Sequence, residues 1–431
     1  MAGSINLLTA TISELQARLS NSSVTSKQLV TLYTDQIAKN NGYLKAVIAV
    51  APEELLAKAA AELDDERSNG QVRGPLHGIP ILIKDNIDTH PELGLPTTCG
   101  SLALVGSKPK KNAAVIERLI AAGAIILGKA NLSALYTIKP TLKIVSQAGI
   151  IPVTPEADMA GPMAKSVLDL AIVLDAIVDP SKTTIPEGGY QSAVTGEWGD
   201  IRIGFVEPEQ WLFPHKIVKY EKEASDQMAR EWKAAHEKLA TVVKVVKPVT
   251  LLSPDEATEC GKKDINDAFF ARMKILLEEY FASVEGAKVR TLEELIKFNE
   301  DHAEQELPAS ADNQAGLIRA LNAKMSDEEY HALLDFARDR CGRRGIDKVL
   351  EENDVDIILG PGDGPLFSIS GTAGYPVASL PLGYLDFNGR PFGMQIIAKA
   401  HQEALLIQAQ SAWEATFPKR QPPPLDEIIR H

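Results

Sequence analysis

Residues 112–127 read NAAVIERLIAAGAIIL, a helix signal that runs directly into a strand signal. Asn112 is a capping residue type, and Val115, Leu119 and Ile120 recur at helical spacing, which predicts a helix over 113–122. Gly123 then supplies the residue that tolerates a left-handed helix end, and Ala124-Ile125-Ile126-Leu127 is a short apolar run of the kind that forms a buried strand. A helix that hands over to a buried strand in so few residues is the repeating unit of α/β folds.

The flanks follow the same grammar. Upstream, Thr25-Ser26 caps a helix over 27–39 on which Leu29, Val30, Tyr33 and Ile37 share a face, and the Ala/Leu/Glu-rich run 52–65 is likewise helical. Gly74-Pro75 punctuates before the Ile-rich strand 79–83. Downstream, Ser166 with Asp169 spells a capping box ahead of a helix over 167–178. The Pro/Gly/Ser/Thr-rich stretch 179–199 has little apolar period and reads as a connection. Strands are predicted at 201–206 and 242–246 around a charged helix over 220–240. Residues 255–353 are mostly helical and strongly charged, and 355–359 is another buried strand. Asn388-Gly389 between 377–384 and 392–398 signals a hairpin, and a helix over 402–416 precedes a Pro-rich tail. The predicted class is α/β with a mixed central sheet flanked by helices. It forms one domain with an N-terminal part (1–178), a connection (179–200) and a C-terminal part (201–431).

Bulk composition narrows the function. The chain has 431 residues, 45% hydrophobic and 24% charged, ordinary for a globular protein. A net charge of −13 argues against nucleic acid as a partner, because phosphate neutralisation requires clustered Lys and Arg. Cys99, Cys260 and Cys341 lie far apart and form neither a zinc motif nor a disulfide framework, which points to a reducing compartment. Residues 1–13 lack a secretion signal and no apolar run has membrane-span length, so a cytoplasmic location without membrane contact is expected. The sequons at 21–23 and 131–133 are then read as chance. No cofactor motif is found: there is no P-loop, no HExxH, and Gly360-Pro361-Gly362-Asp363-Gly364 does not match GxGxxG. No helix opens clearly on that stretch, which reads as a turn. His77 reads as a packed histidine, and Glu293, Glu294, Glu300, Asp301, Glu304 and Glu306 as a solvated helix face.

Several blocks stand in order along nearly the whole chain: GPLHGIPILIKDNID (74–88), PTTCGSLAL (96–104), AIILGKANL (124–132), KPTLKIVSQAGIIP (139–152), GPMAKSVLD (161–169), TLEELIKFNEDHAEQELP (291–308) and GTAGYPVASLP (371–381). Together they resemble the amidase-signature family. The resemblance implies hydrolysis of a carboxamide C–N bond in a small-molecule amide, without cofactor, by a Ser–Ser–Lys triad. A serine hydroxyl is a weak nucleophile near neutral pH and needs a neighbouring base, and a lysine serves if burial lowers its pKa. Lys84 occupies the family's lysine position, at the end of the strand 79–83 where burial is expected. From its neighbours alone, Lys84 also reads as a strand-end lysine reaching water or pairing with Asp85 or Asp88.

The family's Gly/Ser-rich stretch, which carries the relay serine, the nucleophile and the oxyanion-hole amides, should follow 131–136. Here Asn131-Leu132-Ser133-Ala134-Leu135-Tyr136 runs straight into Thr137-Ile138-Lys139-Pro140, so the seam falls at 136–138. Three readings follow: a pseudo-amidase, an active amidase whose sequence here is incomplete or spliced, and a ligand- or partner-binding protein on the amidase fold. Two serines are candidate substitutes, Ser101 within a matched block and Ser133 at the seam. Ser107 and Lys110 make an SxxK spacing, but Gly106 and Pro109 place it in a loop. Loss of the stretch is expected to uncover apolar faces on 79–83 and 124–127 and to leave unpaired strand edges. Oligomeric state and substrate identity stay open.

Overall fold

The structure is a computed structural model that describes residues 5–131, 136–215, 217–261 and 263–425. The unit that opened the sequence forms with one change. A helix spans Ala114–Ala121 with Val115, Ile116 and Leu119 buried. Its N-cap is Ala113, without a side-chain cap. Asn112 does not cap it, because its Oδ1 accepts the His90 amide at 2.7 Å and its Nδ2 donates to Glu117 Oε1 at 2.7 Å. Gly123 takes φ +87°, and a Cβ there would stand 2.7 Å from the His77 Cα, so both conformation and space exclude a side chain.

Ten strands are described: β1 (Val47–Val50), β2 (Pro80–Lys84), β3 (Ile125–Ala130), β4 (Tyr136–Lys139), β5 (Met163–Ala164), β6 (Arg202–Phe205), β7 (Val245–Pro248), β8 (Ile357–Pro361), β9 (Val377–Tyr384) and β10 (Pro391–Ile397). The mixed α/β class holds, but the strands fall into two sheets. A three-stranded sheet has the order β1-β3-β2, with β3 antiparallel to β1 and parallel to β2. A seven-stranded sheet has the order β5-β4-β9-β10-β8-β6-β7. In it β8, β6 and β7 are parallel, and the β9–β10 hairpin supplies the antiparallel pairing anticipated from Asn388-Gly389. β3 belongs to the three-stranded sheet and β4 to the seven-stranded one, and the seam residues 136–138 lie within β4.

Both parts of the chain share one hydrophobic core, which runs from Ala10 to Trp413. The helix Val167–Ile177 lies within it, capped by the Ser166 side chain. The reciprocal half of that capping box is absent, because Asp169 Oδ1 instead accepts the distant Ile12 amide at 2.9 Å. A second cluster gathers residues from the helices Ile265–Ser283, Leu292–Asp301 and Ala315–Asn322 around Ala103, Leu104 and Ile151. The expectation that 79–83 and 124–127 would lie bare is corrected. Ile79, Ile83 and Ala124 to Leu127 are buried, since β3 is central in its sheet and helices cover it. Exposure is confined to the edges: Leu82 is 39% exposed, Ile48 48% and Val50 38%. No helix among the described residues is long and apolar enough to cross a membrane.

Candidate active site

The strand β2 ends in Lys84, and the structure corrects the burial expected there. Lys84 is exposed, and among the described residues its ammonium makes no hydrogen bond or ion pair. Register explains why. Lys84 lies beside Ala130, whereas Ile83 lies beside Lys129, and successive strand residues point to opposite faces. Lys84 therefore emerges on the open face while Lys129 enters the interior.

Lys129 is the buried lysine of this region, with 0% exposure. Its Nζ donates to the Ile87 carbonyl at 2.5 Å and to Thr97 Oγ1 at 3.0 Å. Burial pushes its pKa down to about 8, against the opposing pull of Asp85 and Asp88. Asp88 is pushed up to about 6 by burial, offset by a hydrogen bond from Tyr280 Oη at 2.8 Å and by Lys129. Asp85 is buried and accepts from Thr98 Oγ1 at 2.5 Å and from the Gly100 amide at 3.3 Å. Those two bonds pin both sides of Cys99, which takes φ +51° and is an exposed free thiol. Desolvation at the turn pushes that thiol up, Lys84 opposes the shift and Asp85 adds to it. A raised thiol carries little thiolate near neutral pH and makes a poor nucleophile.

Ser101 is a turn serine. Its Oγ accepts from the Ala103 amide at 3.2 Å, capping the short helical turn Leu102–Leu104, and lies 3.4 Å from Glu306 Oε1. Ser133 lies outside the described residues. Ser107 is buried and donates to the Thr97 carbonyl at 3.1 Å, in a loop as its Gly and Pro neighbours require. His77 is fully buried, with Nε2 2.8 Å from the Leu63 carbonyl while Nδ1 accepts the Arg73 amide at 3.2 Å. The Gly360–Gly364 turn does precede a helix, Leu366–Ala373, contrary to the sequence reading. It turns carbonyls rather than amides inward: Gln395 Nε2 donates to those of Pro361 at 2.7 Å and Gly364 at 2.8 Å, which is not a phosphate cradle. Among the described residues no group of His, Cys, Asp or Glu is placed to hold a metal ion.

Sequence reasoning missed Lys129 and Tyr280 and read Asp85 and Asp88 only as partners for Lys84; the reading of Glu306 as part of a solvated helix face is corrected, because it is half-buried and its Oε1 accepts the Leu102 amide. One signal was available: a lysine embedded in the apolar strand run IILGKA, with two aspartates three residues apart in a neighbouring block. A buried lysine requires such partners.

The family model described as Amidase matches residues 28–137 and 132–407. The chain belongs to the amidase-signature family. Its two matched segments overlap over 132–137. Among curated relatives, a probable amidase of Arabidopsis thaliana is 29% identical over 501 residues, covering 98% of this chain and 93% of that protein. Since 98% of 431 residues is about 422, roughly 80 aligned positions there face no residue of this amidase-family chain. A glutamyl-tRNA(Gln) amidotransferase component from Chloroflexus aggregans is 27% identical over 499 residues, covering 94% of this chain and 96% of that protein. Among solved structures, the peptide amidase of Stenotrophomonas maltophilia is 30% identical with a TM-score of 0.78, covering 97% of this chain and 99% of that one. An amidase family protein of Bacillus anthracis, 20% identical with a TM-score of 0.81, shares the fold.

Proposed function

We propose that this chain is a pseudo-amidase. It keeps the amidase fold and the family lysine, Lys84, but does not hydrolyse carboxamides by serine chemistry. The face that carries Lys84 is retained for binding an amide-bearing small molecule or a partner. The observation that carries the reading is Lys84 itself: its ammonium is exposed, and no serine or threonine hydroxyl among the described residues is bonded to it. Among the described residues this base therefore has no hydroxyl to deprotonate, and it activates none of them. The division of the family match into two segments, 28–137 and 132–407, and the unmatched positions in the alignment with the Arabidopsis relative support the same reading. Loss of one oxyanion donor alone lowers a rate by about 100- to 1,000-fold.

The test is a fluorophosphonate serine probe together with ammonia release from a short peptide carboxamide, the substrate class suggested by the name of the Stenotrophomonas relative. The expected result is no labelled serine and no ammonia above the uncatalysed background. Labelling abolished by Ser101→Ala, or turnover at enzymatic rates, overturns the proposal. A second reading, an active amidase translated from a longer transcript, is favoured by the orderly matched segments on either side of 132–137. Sequencing the transcript across codons 130–140 separates the two: an in-frame insert encoding a Gly/Ser-rich stretch establishes the longer, active form.

A further inference from the structure

The helical region around 265–322 grips the Lys84 block at two places. On one side, Tyr280, from the helix Ile265–Ser283, donates its hydroxyl to Asp88 Oδ1 at 2.8 Å in a buried setting. Asp88 lies within electrostatic reach of Lys129, whose ammonium ties Ile87 to Thr97 and so joins the two arms of the loop that starts at Lys84. On the other side, Glu306 Oε1 accepts the Leu102 amide at 2.5 Å, and Lys288 Nζ donates to the Leu102 carbonyl at 2.8 Å. Lys108 and Glu285 exchange backbone hydrogen bonds at 2.7 and 3.1 Å. The loop returns the grip by placing Ala103 and Leu104 in the hydrophobic cluster of these helices. Cys99 sits between the two grips, with Asp85 holding the residue on each side of it.

We propose that Tyr280 is a positioning residue for the Lys84–Cys99 turn: through Asp88 and Lys129 it couples docking of the helical region to the conformation of the loop beside Lys84. The coupling concerns how the site is held, and stands apart from whether the chain hydrolyses amides. Loss of the Tyr280 hydroxyl leaves a buried carboxylate short of a donor and loosens one of the two grips, while a phenyl ring still fills the cluster. The desolvation that now suppresses the Cys99 thiol then relaxes.

The cysteines report this directly. Cys99 and Cys260 are exposed and Cys341 is buried, so iodoacetamide labelling read by peptide mass spectrometry gives a reporter, a reference and a folding control in one chain. In Tyr280→Phe the turn relaxes and the Cys99 thiol ionises more readily, so its alkylation relative to Cys260 rises by roughly three- to tenfold while Cys341 stays protected. An unchanged Cys99/Cys260 ratio with Cys341 protected overturns the proposal. Hydrogen exchange on the unmodified protein decides independently of whether the variant folds. The amides of 100–104 and those of the helix Ile265–Ser283 open together with one urea dependence if they are coupled. Opening of that helix while 100–104 stays protected overturns the coupling.

Discussion

Two lysines lie near the ends of neighbouring strands of one small sheet, Lys84 last in β2 and Lys129 next to last in β3, and the direction of each side chain separates their physics. Lys84 points out and Lys129 points in, and burial lowers the pKa of Lys129. Lys129 offsets the charge of Asp85 and Asp88, so its removal strands buried carboxylates. Lys129→Met is therefore expected to lower unfolding free energy by about 3 kcal/mol at pH 7, measured by urea denaturation with an unchanged slope. The pH dependence follows from Asp88. Its folded pKa is raised from the ordinary carboxylate value to about 6, so the stability it contributes is full below the ordinary value and is lost as pH rises towards and through about 6. Without Lys129 the carboxylate is raised further, so the deficit of the variant shrinks between pH 7 and pH 5. A deficit that grows on acidification contradicts this assignment. A lysine inside an apolar run was visible in the sequence; which of the two lysines faced inward depended on register, which a one-residue shift inverts.

Element by element, local chemistry was a good guide where the partners are close in sequence. Thr25 caps its helix with a full capping box, and the β9–β10 hairpin and the last helix, Glu403–Thr416, form where turn residues and period place them. Gly123 is the sharpest case, since a left-handed residue and a close approach to His77 are both required. Gly123→Ala is expected to cost at least about 2 kcal/mol, more than the conformational penalty alone, because the methyl meets backbone that cannot swing aside. A thermal midpoint within experimental error of the parent would contradict it. The misses share one cause. Asn112 and Asp169 have the right residue types for caps, but their side chains are taken by His90 and Ile12, partners that only the folded chain brings near.

At the scale of the whole molecule, the three-stranded sheet leaves Ile48 and Val50 on β1 and Leu82 and Lys84 on β2 exposed. Among the described residues β2 pairs on one side only, with β3. An unpaired edge beside exposed apolar side chains favours association. Sedimentation velocity is therefore expected to show concentration-dependent self-association of the parent chain that Leu82→Lys reduces, with stability changed by no more than about 0.5 kcal/mol. A parent chain that stays monomeric throughout the concentration range rules this out.

The sequence by itself determined the class of fold, the order of most elements and the family, because helical period, strand runs and turn residues act over a few neighbours and the matched blocks keep their order. Only the tertiary structure decided that Lys84 is exposed and Lys129 buried, that Ser101 serves a turn held by Glu306, and that Tyr280 reaches Asp88 across nearly two hundred residues. Burial, charge compensation and hydrogen bonding are set by which distant segments pack together, and that information is absent from any local window.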